Sequence, residues 1–467
     1  HSGPIPTEIG QLTQLETMDM PSNELEGPIP TELGLLRNLL YLTLQNNKFS
    51  NATLPTELGN LKFLETLEMN LCGLGGHIPS EFGKLRSLAL LSLGRNLLNG
   101  SLPSELGNAA SLGRFEAKTN LLTGPIPSEL GSIRGLQTLT LSRSNLTGTL
   151  PTELFSLDLR LARFNDNGGL HGTLPTEIGQ LTFARILSFG TNQFSGTIPS
   201  ELGLATSLRE LKLGENSFVG TIPTVLGNLI DLEQLEVDDN LLSGTLPTEL
   251  SELTRLRKLF IDKNTNVTGT VPSEYGLLTR LNWFEIYARN GTIPTTFGLL
   301  VRLNELKVGP SSMSGPIPSE LGSLSNLLVL DLEDNDLGSS LPSELGALTM
   351  LSALRLQGNQ LTGSVPSELG RLSFLTSTQL QLNMLEGSVP SEVCTLESLS
   401  VLLADCSVVC ECCETCCADD RQHCEIEDEG TDEGGPKGAG KGPPPPQRRR
   451  RTKSYIRGER RLRSGRH

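Results

Sequence analysis

The chain has 467 residues, a formal net charge of −15, 4% aromatic residues, a single Trp and 49 Gly. A compact chain of this length would divide into two or three domains, because single cores stop growing beyond roughly 250–300 residues; this Gly- and Leu-rich profile suits a repetitive array better. Residues 1–435 carry 26 basic and 52 acidic side chains, a balance that excludes nucleic acid as a partner, and no 18-residue apolar run is present to form a spanning helix.

From its first residues the chain repeats. An Ile/Leu/Val-Pro pair recurs seventeen times between Pro6 and Pro390; thirteen of the sixteen intervals are 24 residues, two are 25 and one is 22. Each unit carries L-x-x-L-x-L-x-x-N, as in "LEQLEVDDNLLSGTLPTELSEL" from Leu232 to Leu253. One unit cannot bury Leu232, Leu235, Val237, Leu242 and Leu246 by itself, so neighbouring units must stack. Asn240 and its equivalents, among them Asn47, Asn96, Asn120, Asn192, Asn216, Asn264, Asn335, Asn359 and Asn383, fall where the strand turns inward, where a buried amide can bond its own turn and the next coil. Cys72 holds that slot once and reads as a buried structural thiol.

After each repeat Pro comes Ser or Thr, followed in fifteen of seventeen units by Glu. The pattern predicts Ser/Thr helix caps with Glu at the positive end of a short helix. Five N-x-S/T sequons, at Asn51, Asn99, Asn145, Asn266 and Asn290, are expected on loops leading away from the strands and fit an exported, glycosylated chain. A Thr recurs in seven successive units from Thr149 to Thr292, a hydroxyl row that strand preference alone can produce.

Two units depart from the pattern. Repeat 7, "LFSLDLRLARFNDNGGLHGTLP", contains a compensated one-residue shift. Repeat 12, "LNWFEIYARNGTIP", is two residues short, lacks the Asn and places Trp283, Glu285 and Tyr287 at alternate positions. That alternation predicts one exposed row, with Trp283 and Tyr287 as a contact centre or as cover for the shortened loop.

These units resemble the plant-type leucine-rich repeat of receptor-like kinases, receptor-like proteins and polygalacturonase inhibitors. The "IPTELG" coils ending in "VPSEVCTLESLSVLLADCSVVCECCETCC" are most similar to diatom leucine-rich repeat families with a Cys-rich terminus. The resemblance implies an α/β solenoid: a right-handed superhelix of about 16 coils with a parallel concave sheet and short or 3-10 helices on the convex side. It also implies a cell-surface or secreted location, with membrane anchoring through a part preceding residue 1. The expected domains are a solenoid over 1–393, a cap over 394–424 and an acidic-then-polybasic disordered tail over 425–467.

Cys394, Cys406, Cys410, Cys412, Cys413, Cys416, Cys417 and Cys424 follow the last Pro, where an open solenoid end needs closing. An even count in an exported chain reads as a disulfide cap; a zinc cluster and a redox dithiol are the alternatives. Nothing in the sequence supports catalysis, and no cofactor or metal is expected. Ligand contacts are expected on the concave face, basic at Arg95, Arg114, Lys118, Arg143 and Arg163, then acidic at Glu236, Asp238 and Asp239. The partner is expected to be a protein, peptide or polysaccharide. Inhibition of cell-wall-degrading hydrolases and a surface-structural or ice-binding role are the alternatives.

Overall fold

The computed structural model describes residues 1–405, 407–410, 412–413 and, as backbone, 415–417 and 424–425. Cys406, the side chains of Cys416, Cys417 and Cys424, and the tail from 426 onward lie outside the described residues. Each 24-residue unit makes one turn of a solenoid. The L-x-L segment of each coil is a short strand, such as Gln234–Glu236, pairing in parallel with Glu210–Lys212 before it and Lys258–Phe260 after it. The resulting open sheet runs from Thr17–Asp19 to Val401–Asp405, where Thr415–Cys417 joins it.

The period-two alternation of strand side chains sends Leu235 inward, fully buried, and leaves Glu236 outside. Leu256, Leu259, Ile261 and their counterparts form one continuous buried column along the coils. Around repeat 7, phenylalanines fill it: Phe164 stacks on Phe189 at 5.7 Å, and Phe194 on Phe218 at 6.5 Å. A full Leu or Phe burial contributes about 1.5–3 kcal/mol, so the stack is held by repetition of one modest gain.

The sheet's far side carries five-residue 3-10 turns such as Thr31–Leu35. Here the expected capping is corrected. Pro30, extended at φ −65° and ψ 135°, occupies the cap position, and the Ser/Thr is already the first residue of the turn. Its hydroxyl cannot reach back to the turn's own amides and instead donates to the next carboxylate, at 3.3 Å from Thr31 to Glu32 and 3.1 Å from Ser273 to Glu274. The Gly of each "ELG" has a separate cause. A Cβ on Gly34 would lie 2.4 Å from the Glu57 carbonyl of the following coil, so only Gly permits that approach.

The Asn ladder forms, and its direction is a second correction. The amides serve the preceding coil, not the next one. Asn240 Nδ2 donates to Leu213 O at 3.1 Å and to Val237 O of its own turn at 3.2 Å; its Oδ1 accepts from Phe218 N at 2.9 Å. Repeat 7 supplies an amide that the sequence reading passed over, Asn167, which bonds Leu141 O, Phe164 O and Leu146 N. The shift there leaves the next rung incomplete: Asn192 Oδ1 is buried without a partner.

A second, lateral sheet follows the ladder. Parallel strands run from Asn99–Gly100 to Asn266–Thr268 and resume at Ser314–Gly315. The gap falls at the 22-residue coil. With no ladder Asn to receive it, Val267 N turns back to Asn264 O at 3.0 Å. The long sheet compensates: Trp283–Ile286 and Glu305–Val308 pair over four residues.

Candidate functional site

The outward face of the long sheet is where coils 4 to 12 bring polar side chains together, and most of the charges expected there hold one another. Arg114 pairs with Glu116 at 2.6 Å, Arg143 with Asp166 at 3.4 Å, Arg163 with Glu210 at 3.8 Å and Lys212 with Glu236 at 3.6 Å. Asp239 meets Lys263 at 3.7 Å. The basic-then-acidic polarity read from the sequence is therefore largely neutralised along the face, because a carboxylate stands in the same strand (Glu116), one rung away (Asp166, Glu236) or two rungs away (Glu210). Exposed pairs of this kind contribute about 0–1 kcal/mol each. Arg95 and Lys118 form no ion pair among the described residues.

The acidic side retains one perturbed group. Burial, then Asp262 and Glu236, push the Asp238 carboxyl up from 3.8 to about 7. Asp262, one coil on, is 2% exposed with Oδ1 unpartnered. Asp238 folds over a space that Gly214 leaves open: a Cβ there would meet its Oδ1.

The short coil separates the two aromatics that the sequence had grouped. Trp283 and Glu285 do point outward, between inward Phe284 and Ile286, but Glu285 is only 5% exposed. Tyr287 lies past the end of the strand, half-buried against the core beside fully buried Ala288. The expected exposed row is thus corrected: Glu285 is buried, and Tyr287, at the outward position between buried Ile286 and Ala288, is half-buried against the core. Trp283 stays at the surface, half-buried, with Lys258 Nζ 4.9 Å from its ring centre. Such a cation–π contact is worth about 0.5–1 kcal/mol at an exposed site.

Trp283 forms one wall of a groove of about 630 Å³ over coils 8 to 13, with Arg185, Ile186, Arg209, Glu210, Glu233, Gln234, Arg257 and Lys258 among its lining. Arg257 pairs with Glu233 at 3.6 Å. Sequence reasoning missed Arg185, Arg209, Arg257 and Lys258. Arg185, Arg209 and Arg257 sit just before their strands, directly after the first position of L-x-x-L (Ala184, Leu208, Leu256), outside the alternation that marks a strand face, and Lys258 opens its strand.

Elsewhere, all five sequon asparagines are exposed. Asn99, Asn145 and Asn266 open strands of the lateral sheet and are not on loops. Disulfides join Cys394 to Cys412 and Cys410 to Cys413. Cys72 is buried, its thiol donating to Leu44 O at 3.1 Å and pushed up in pKa by burial. Among the described residues no group of three His, Cys, Asp or Glu could hold a metal ion, and no helix is long and apolar enough to cross a membrane.

One strand and one 3-10 turn per coil, an internal Asn ladder and a lateral second sheet define a leucine-rich repeat solenoid. Residues 31–156 match the model of a leucine-rich repeat region, and 207–229, 326–348 and 350–372 match the leucine-rich repeat itself. Among solved structures, the chain is similar to the ectodomain of the Arabidopsis thaliana membrane receptor kinase GASSHO1/SCHENGEN3 in complex with CASPARIAN STRIP INTEGRITY FACTOR 2. The identity is 31%, with a TM-score of 0.80, over 90% of this chain and 55% of that one, so it spans about half of that ectodomain. The plant peptide hormone receptor RGFR1 in complex with RGF2 is 32% identical, TM-score 0.75, over 86% of this chain and 73% of that one. A leucine-rich repeat protein of Leptospira interrogans is 30% identical, TM-score 0.64, over 84% and 96%. No curated protein gives a significant match. The chain belongs to the leucine-rich repeat family, and its repeats are of the plant receptor type.

Proposed function

We propose that this chain is an extracellular or cell-surface recognition module that captures a peptide or protein through the face of its long sheet. One observation carries the reading. On a face whose charges mostly neutralise each other, the chain's single Trp stands half-buried in the wall of a groove of about 630 Å³, under a lysine. Indole rings in such positions are enriched among contact hot spots. The peptide hormone receptor RGFR1 in complex with RGF2 supports a peptide ligand, the GASSHO1 ectodomain in complex with CASPARIAN STRIP INTEGRITY FACTOR 2 supports a recognition role, and the exposed sequons support export. Whole-protein features such as membrane anchoring belong to the same proposal.

The test is a screen of secreted-peptide libraries against the glycosylated, purified chain, repeated with Trp283→Ala. The variant should lose about 2 kcal/mol of affinity for the selected peptides, with only a small shift in its melting curve. Peptides that bind the variant as well as the parent would overturn the assignment of this face.

A further inference from the structure

The groove beside Trp283 has an unbalanced edge. Arg160, Arg185 and Arg209 occupy the same position in three successive coils, locked in register by Arg185 N to Arg160 O and Arg209 N to Arg185 O, each 2.8 Å. Adjacent strands run about 4.8 Å apart, so the three guanidinium groups rise from neighbouring rungs of one edge. All three are exposed, and none makes a side-chain hydrogen bond or ion pair among the described residues. Their nearest carboxylates are engaged elsewhere: Glu210 with Arg163 at 3.8 Å and Glu233 with Arg257 at 3.6 Å. Like charges on facing positions of paired strands are destabilising. An anionic partner laid across the edge would remove that repulsion.

Resting on the reading of this face as the ligand site, we infer that the groove takes an acidic peptide segment with apolar side chains interleaved among its carboxylates. The carboxylates meet Arg185 and Arg209, and apolar side chains lie over Ile186 at one end of the groove and over the Trp283 indole, four rungs on, at the other. In the same lining Asn304 offers an amide donor and acceptor to a peptide backbone, and Asn282, whose Nδ2 donates to Arg302 O at 3.0 Å, offers its Oδ1. A uniformly charged acidic polysaccharide fits less well, because Glu210 and Glu233 stand inside the groove and would face some of its carboxylates. The body as a whole, with twice as many acidic as basic side chains over residues 1–435, disfavours anions, so the attraction is confined to local basic patches such as this edge.

Because Trp283 is the chain's only tryptophan, its fluorescence reports on this groove alone. The full chain is titrated in low salt with the non-fluorescent peptide acetyl-Glu-Leu-Glu-Leu-Glu-Leu-amide, with its Lys-Leu counterpart and with oligogalacturonate. The acidic peptide should give a saturable change that the basic one does not. Arg185→Gln with Arg209→Gln should weaken it on the order of tenfold or more, as should added salt. Arg37→Gln with Lys62→Gln, the same loss of two charges in exposed positions of the first coils, should leave it intact. No response to the acidic peptide, or equal affinity in the double variant, overturns the assignment; oligogalacturonate binding as well as the peptide overturns the peptide in favour of a glycan. If library peptides depend on Trp283 but not on Arg185 and Arg209, the acidic specificity falls while the binding face stands.

Discussion

Asn264 and Val237 lie one coil apart, and the Asn264 amide donates to the Val237 carbonyl at 2.9 Å while its Oδ1 accepts from Leu242 N at 3.1 Å. Both atoms lie inside the solenoid, and Asn264 is 0% exposed. Replacing it by Ala leaves buried backbone groups without partners, which costs about 1–3 kcal/mol each. Asn264→Ala should therefore lower stability by about 2 kcal/mol or more in urea unfolding. Asn192→Ala should cost measurably less, since its Oδ1 already has no partner.

Tyr287 and Trp283 are expected to separate on a stability axis. The phenol packs against the core at the shortened coil, so Tyr287→Ala opens a cavity and should cost about 2–4 kcal/mol. Trp283→Ala should stay within about 1 kcal/mol, mostly the lost contact with Lys258. Equal losses in the two variants would show that both rings seal the coil.

Asp238 gives the fold a pH dependence of definite sign. Its folded pKa, about 7, lies above its ordinary 3.8, so between these values the native state binds the extra proton. Its stabilising contribution is present below pH 3.8 and is lost as pH rises through 7. Asp238→Asn should remove this slope and be more stable than the parent above pH 7, on the order of 1–3 kcal/mol. Urea midpoints of both proteins at acidic and alkaline pH decide it.

Coils should be removable. Excising Ser343–Pro366 takes out one 3-10 turn, one long-sheet strand and one lateral strand, and joins Pro342 to Ser367 in the same register. Because each coil touches its neighbours alone, a cooperative, soluble fold with a reduced unfolding enthalpy is expected. Loss of folding by calorimetry and circular dichroism would contradict that additivity.

Peptide mapping without reduction should recover Cys394 linked to Cys412, with Cys72 protected from alkylation until the chain is unfolded. Modification of Cys72 in the folded state would show that the solenoid opens near its third coil.

Periodicity carried most of the architecture in readable form. A buried Leu and a buried Asn every 24 residues leave no other packing, and the 22-residue interval marks the place where the lateral sheet breaks. The site was less legible. Arg143, Arg163 and Lys212 each look like ligand contacts until the register sets a carboxylate one rung away, or two for Arg163. Arg185 and Arg209 look like loop residues until the same register aligns them with Arg160. Asn167 escaped notice because a one-residue shift moved it off the period, and Thr31 passed for a cap because the Pro before it was not recognised as holding that position.

The backward reach of the ladder gives the molecule an arrow. A coil's interior carbonyl and amide are satisfied by an amide that the next coil delivers, so the newest coil on a growing chain is always the incomplete one. Chain made from the amino end can add coils but cannot finish the last of them. Among the described residues the ladder position after Asn383 is held by Ser407. Asp405 accepts from the backbone N–H groups of Leu382 and Asn383, whose equivalents in earlier coils donate to carbonyls of the next coil, as Asn359 N does to Leu382 O at 3.1 Å. Shortening the solenoid from its front should leave each surviving coil provided for, whereas a cut anywhere behind strands the coil before the cut. The two ends of the same repeat array should therefore tolerate truncation very differently.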